Sequence, residues 1–182
     1  MVDTGWVIAG TGANVTGIGT EAWSSPGNVT ADDASGASGA AAAKDEQMNY
    51  LRGSNFGLSV PTGATIDGIE MRFQCFDNNT QSVINDARLY HPSAGNATDQ
   101  EAGESSVFGQ SWVDYDYGGA TELHGETWTA ANVNDSTFGA MMSVDVNGAL
   151  GVGGDPLCDA IWIKVYYTEA AASGRSYGMV IG

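Results

Sequence analysis

The sequence predicts an all-β protein: a β-sandwich or jelly roll forming a single domain with extended N- and C-terminal segments. Three observations predict it. Apolar and polar residues alternate with period two in several separate stretches. Runs of Gly, Asn, Asp, Ser and Pro stand between those stretches and supply turns. The composition disfavours helix, with 26 Gly against 6 Lys+Arg in 182 residues. Gly lowers helix stability, whereas Lys and Arg are common helix formers.

In chain order, residues 1–22 are rich in Gly, Thr and Val without strong alternation and read as an N-terminal segment, with Trp6 and Trp23 as anchors. Gly10-Thr11-Gly12-Ala13-Asn14-Val15 begins like a phosphate-cradling glycine motif, but Val stands where the third Gly belongs and no amphipathic helix follows. It reads as a loop. Ala34–Glu46 is built of small residues and reads as a loop or edge strand rather than a helix, with Asp32-Asp33 turning the chain before it. Phe56, Leu58 and Val60 predict a strand ended by Pro61-Thr62-Gly63. Ile69, Met71, Phe73 and Cys75 predict the next, followed by one carrying Ala87 and Leu89. Phe138, Ala140, Met142, Val144 and Val146 predict another, and Ile161, Ile163, Val165 and Tyr167 the last. Asp77–Thr80, His91–Asn96, Gly118-Gly119 and Gly151–Pro156 read as loops. The domain therefore spans 23–168, and 169–182 is a flexible linker ending in the apolar tip Tyr177, Met179, Val180 and Ile181. Such a tip suits an arm that adds to a neighbour.

Parity speaks about the two cysteines. Cys75 shares a face with Ile69, whereas Cys158 shares parity with Trp162, opposite to Ile161. On those registers the thiols face different ways and stay free.

The formal charge of −16 argues against nucleic acid and anionic membrane as partners, because such a surface repels phosphate. Two His and two Cys without C-x-x-C spacing argue against a structural zinc site. The N-terminus lacks a basic n-region, so no secretory signal is expected, and no apolar stretch reaches the roughly 18 residues of a membrane span. The five Asn-x-Ser/Thr triplets, at Asn14, Asn28, Asn78, Asn96 and Asn134, read as chance.

Catalytic sets are hard to assemble. The carboxylate pairs Asp114/Asp116, Glu122/Glu126 and Asp155/Asp159 arise readily among 22 acidic residues and read as solvated surface. His91 and His124 sit in loop-like contexts without a G-x-S-x-G elbow, so neither is expected to serve a triad. No cofactor is expected. Calcium is the one ion the acidic turns leave open, with Asp77, Asp114 and Asp116 as candidate ligands. Trp112, Tyr115 and Tyr117 lie in one stretch; exposed together, they would stack on the apolar face of a sugar. Trp128, between Thr127 and Thr129, reads as buried.

The stretch from Tyr50-Leu51-Arg52 through Asn55-Phe56-Gly57 and Pro61-Thr62-Gly63-Ala64-Thr65-Ile66-Asp67-Gly68-Ile69 resembles a module common in tailed-phage and prophage structural proteins. Asp86–Leu89, Tyr117–Gly125, Asn132–Gly139 and Cys158–Thr168 match later pieces of that module in order, so the resemblance covers Trp23 to Thr168. His124 stands where the module usually has Trp, and Cys158 where it usually has Val. The resemblance implies a β-sandwich or jelly roll without catalytic residues. It implies a virion structural protein, foremost a capsid decoration (cement) protein outside the head. That protein would contact the major capsid protein and its own copies, as a trimer by analogy. The alternative is a carbohydrate- or receptor-binding module of a tail fibre or tail tip, using Trp112, Tyr115 and Tyr117.

Overall fold

The computed structural model describes residues 1–39, 46–79, 81–96, 106–146 and 154–171. Its strands are β1 (Val2–Asp3), β2 (Val7–Ile8), β3 (Thr11–Val15), β4 (Trp23–Ser24), β5 (Ala37–Gly39), β6 (Glu46–Gln47), β7 (Tyr50–Ser54), β8 (Thr65–Phe76), β9 (Ser82–His91), β10 (Gly95–Asn96), β11 (Ser106–Val107), β12 (Val113–Gly118), β13 (Gly139–Val146) and β14 (Leu157–Thr168). A 3-10 turn at Pro26–Val29 and one short helix, α1 (Ala130–Asn134), complete the elements. Thr129 caps α1: its side chain accepts from the Asn132 amide, and Asn132 Oδ1 accepts from the Thr129 N–H at 3.0 Å.

Two antiparallel sheets enclose the core, as the alternation predicts. The first runs β12-β8-β14-β5-β4, with β2 and β1 following β5 along β14. The second runs β10-β9-β13-β7-β3, with β11 on β9 and β6 on β13. The inward residues are those predicted. Ile69, Met71 and Phe73 of β8, Ala140, Met142 and Val144 of β13, and Ile161, Ile163 and Val165 of β14 are fully buried. Each large aliphatic or aromatic side chain buried this way contributes about 1.5–3 kcal/mol.

Several expectations need correction. The N-terminal segment is woven into the sandwich: β1 and β2 pair with β14, and β3 pairs with β7. The glycine motif is thus strand β3 rather than a loop. Its Gly12 faces Pro26, whose carbonyl oxygen would lie 1.9 Å from an added Cβ, so glycine is required by close approach. Phe56, Leu58 and Val60 form no strand. Asn55 at φ 57° and Gly57 at φ 65° turn the backbone out of the extended region. Phe56 and Val60 still bury their side chains.

Ala37–Gly39 is a strand paired on both sides, to β14 and β4, rather than an edge; residues 40–45 lie outside the described residues. Both histidines are buried instead of exposed on loops. His91 ends β9 and stacks on Trp128 at 4.6 Å. His124, at φ 56°, sets Nε2 2.9 Å from the Ile69 carbonyl oxygen. Its ring is wedged beneath Gly118, where an added Cβ would meet His124 Nε2 at 2.7 Å.

The cysteine register is overturned. Cys158 lies directly opposite Cys75 in the β8–β14 ladder, and both are fully buried and free. A β-bulge between Cys158 and Ala160 inserts one residue, Asp159, and reverses the parity on which the expectation rested.

Candidate functional site

The outward face of the first sheet gathers half-buried aromatic and charged side chains. Because Ile161, Ile163 and Val165 point inward, Trp162, Lys164 and Tyr166 point out. On β8 the same logic turns Glu70, Arg72 and Gln74 outward. Register places Trp162 across from Arg72 and Lys164 across from Glu70. On the next strand it places Asp116 opposite Arg72 and Asp114 opposite Gln74.

These side chains hold one another. Arg72 makes a bidentate pair with Asp116, Nε to Oδ1 and Nη2 to Oδ2, both at 2.7 Å. Its Nη1 lies 3.0 Å from Asp114 Oδ2. The hydrogen bond to Asp116 is the main cause that raises the Arg72 pKa above its ordinary value. Lys164 Nζ pairs with Glu70 at 2.8 Å, and the Tyr166 hydroxyl donates to the same Glu70 oxygen at 2.8 Å. Burial works against the Lys164 charge, but Glu70 and Tyr166 outweigh it and raise its pKa.

Trp6, between β1 and β2, lies against this ladder. The Arg72 guanidinium carbon is 4.3 Å and Lys164 Nζ 4.2 Å from its ring. Two cation–π contacts, each worth about 0.5–1 kcal/mol at an exposed site, fix a half-buried indole on the sheet. Sequence reading placed Trp6 as an anchor but gave no sign of which surface it joins. Its residues lie outside any alternating run, and the contact depends on β14 reaching β2 across the length of the chain.

The aromatic trio divides. Tyr115 and Tyr117 face the core. The Tyr115 hydroxyl donates to the Val107 carbonyl at 3.0 Å and accepts from Gly109 N–H at 3.1 Å. Burial raises the Tyr115 pKa. Tyr117 packs 6.1 Å from Phe73. Strand parity in β12 sends both rings inward, so they make no stacking platform with Trp112. Trp112 packs on outward-facing Phe76 at 5.3 Å, at the far end of the same sheet face as Trp6.

The calcium candidates are engaged elsewhere. Asp77 clips its own loop, accepting from Asn79 N–H, Gln81 N–H, Ser82 N–H and the Ser82 hydroxyl. Asp114 and Asp116 hold Arg72. Among the described residues no three His, Cys, Asp or Glu side chains form a metal-binding group. The tip residues Tyr177, Met179, Val180 and Ile181 lie outside the described residues.

Two clefts lie near the Thr65–Thr168 end of the β8–β14 ladder. One of about 430 Å³ is lined by Thr62, Thr65, Trp128, Thr129 and Asn134. Its polar groups are internal pins: Trp128 Nε1 donates to the Leu123 carbonyl at 2.8 Å, and the Asn134 side chain bonds both backbone groups of Val60. The other, about 310 Å³, lies among Asp3, Thr4, Leu58 and Tyr167. No helix among the described residues is long and apolar enough to cross a membrane.

No family model matches the chain, and no curated protein does. Among solved structures it is similar to a carbohydrate-binding module described as CBM4, at 14% identity, covering 92% of each chain with a TM-score of 0.35. It is also similar to the CBM22-1 xylan-binding domain of Paenibacillus barcinonensis Xyn10C, at 13% identity, covering 92% of this chain and 88% of that one, with a TM-score of 0.39. A third is the xylan-binding module CBM15, at 10% identity, covering 92% and 94%, with a TM-score of 0.37. Likeness this loose transfers neither a site nor a ligand.

Proposed function

We propose that the chain is a non-catalytic carbohydrate-binding module whose contact surface is the outward face of the first sheet. The observation that carries this reading is Trp6 fixed by Arg72 and Lys164 on a sheet face that also bears Trp162 and Tyr166. Indole and phenol rings offer apolar faces to the C–H face of a sugar. Glu70, Arg72 and Asp116 stand beside them as paired donors and acceptors for hydroxyl groups. Their mutual ion pairs hold them in place before any ligand arrives, which lowers the ordering cost of binding. The site therefore differs from the Trp112, Tyr115 and Tyr117 cluster.

The test is retention on a glycan array, with Trp6→Ala and Trp162→Ala compared with the parent chain. Each substitution is expected to weaken retention about tenfold, corresponding to about 1.4 kcal/mol, while the circular-dichroism spectrum and cooperative melt persist. A parent chain that retains no glycan, or folded variants that retain it equally, would overturn the proposal.

A second reading rests on the sequence resemblance over Trp23 to Thr168: a virion structural protein decorating the capsid exterior, touching the major capsid protein and its own copies. The two readings are compatible, since a sugar-binding sandwich is also a module that a particle can display.

A further inference from the structure

The outward face of the second sheet carries a cation without a carboxylate. On β7, Leu51 packs in the core and Gly53 faces it, where an added Cβ would meet Ile161 at 2.9 Å. Arg52 and Ser54 therefore point outward. Register sets Met141 of β13 beside Arg52, and Arg88 of β9 on the other side of Met141. The next row across the face reads Thr11, Ser54, Gly139 and Tyr90, from β3, β7, β13 and β9.

The two arginines differ. Arg88 is held by Asp86, with Nε 3.0 Å from Oδ1. Arg52 has no carboxylate within ion-pair distance among the described residues, in a chain with 22 Asp+Glu. Its stem crosses Gly139, where an added Cβ would meet Arg52 Cγ and Cδ at 3.2 Å, and its guanidinium rests over the Tyr90 ring at 4.6 Å. Glycine at 139 is what lets the side chain lie diagonally into the next row. Nε is buried there without a hydrogen-bond partner, alone among the three nitrogens. On this half-buried side chain the two Nη groups are left as the reachable donors.

The Tyr90 ring fixes the charge but offers no acceptor to the N–H groups in the guanidinium plane. An arginine serving the fold alone would find an acceptor for its buried Nε, because an unpaired buried donor is costly. This placement forgoes that bond and presents two Nη donors side by side, the fork that a carboxylate accepts. One unpaired guanidinium on a chain of charge −16 suits a singly charged carboxylate better than a phosphate, which carries more charge and draws on several cations. β7 is paired on both sides, to β3 and β13, so it opens no backbone edge to an added peptide strand. The hydroxyl groups of Thr11, Ser54 and Tyr90, in the adjacent row, are instead suited to the hydroxyl groups of a sugar.

We propose that this face binds the carboxylate of a uronic-acid saccharide, with Arg52 supplying the Nη donors and Thr11, Ser54 and Tyr90 meeting the sugar ring. The site lies on the opposite sheet from the Trp6 surface and shares no residue with it, so the two stand or fall separately.

The test is calorimetric titration of the full chain with trigalacturonate and triglucuronate, with their methyl esters, and with triglutamate. At least one uronate is expected to bind, and more weakly as NaCl rises from about 50 to about 500 mM, because the contact is a charge pair near solvent. Arg52→Gln is expected to weaken that binding about tenfold, and esterifying the ligand to do the same without altering the protein. Trp6→Ala is expected to leave it unchanged, whatever it does to neutral glycans. No heat from either uronate, esters that bind as well as the acids, or a folded Arg52→Gln that binds equally would overturn the proposal. Triglutamate binding as tightly as the uronates would also overturn it, in favour of an acidic peptide.

Discussion

At the residue scale, the Lys and Arg side chains among the described residues each have a partner or ring. Arg88 pairs with Asp86, and Asp86, 1% exposed, also accepts from the Tyr50 hydroxyl. The Arg52 guanidinium lies 4.6 Å over the Tyr90 ring. Burial, followed by the hydrogen bond to Asp86, raises the Tyr50 pKa well above its usual value, so the phenol stays a donor. Removing Asp86 would strand a half-buried guanidinium and a buried hydroxyl together. Asp86→Ala is therefore expected to lower unfolding free energy by about 3–5 kcal/mol, against about 1 kcal/mol for Tyr50→Phe. Urea denaturation measures both, and equal small losses would contradict a buried charge pair.

At the element scale, β8 and β14 form the backbone of the first sheet, with eleven register pairs and two irregularities. Cys75 and Cys158 oppose each other there, and opposed Cα atoms in an antiparallel pair sit about 4.5–5.5 Å apart, within disulfide reach. Burial raises the Cys75 pKa, so the native thiol stays protonated and resists oxidation. Refolding in oxidised glutathione exposes both thiols first. The refolded protein is expected to lose two hydrogens by intact mass and to melt higher, because the bond closes a long loop in the unfolded chain. Two free thiols after that treatment would contradict the observed pairing. The inward faces of β8, β9, β13 and β14 are legible in the sequence because alternation persists through them. The bulge is not: Leu157-Cys158-Asp159-Ala160 carries no alternating signal, and one inserted residue flips every parity before it. Nor are β1 and β2, two residues each, whose pairing is set by β14 rather than by their own propensity.

At the scale of the whole molecule, a formal charge of −16 makes the surface repel phosphate and further copies of the chain electrostatically. Any attachment to a larger body would have to overcome that repulsion through specific contacts. The virion reading predicts regular immunogold label over the heads of phage particles from the source. Label confined to tails would favour a receptor-binding role, and unlabelled particles would remove the virion reading. The resemblance that motivates this test runs through turn and strand residues. Those residues specify a fold more strongly than they specify what the fold touches.

The sequence by itself determined the class of fold, the inward residues of the long strands, the turns between them and the strong negative charge. Each of these is written locally, in period, turn chemistry and composition. Tertiary structure alone decided which aromatics share a surface. Tyr115 and Tyr117 turn inward by parity once β12 pairs with β8, whereas Trp6 reaches Arg72 and Lys164 only because β2 docks on β14. It also decided that Arg52 crosses Gly139 to reach Tyr90, from three strands far apart in the chain. Contacts of that kind depend on register across strands, and a single-residue bulge resets register without leaving a mark in the pattern.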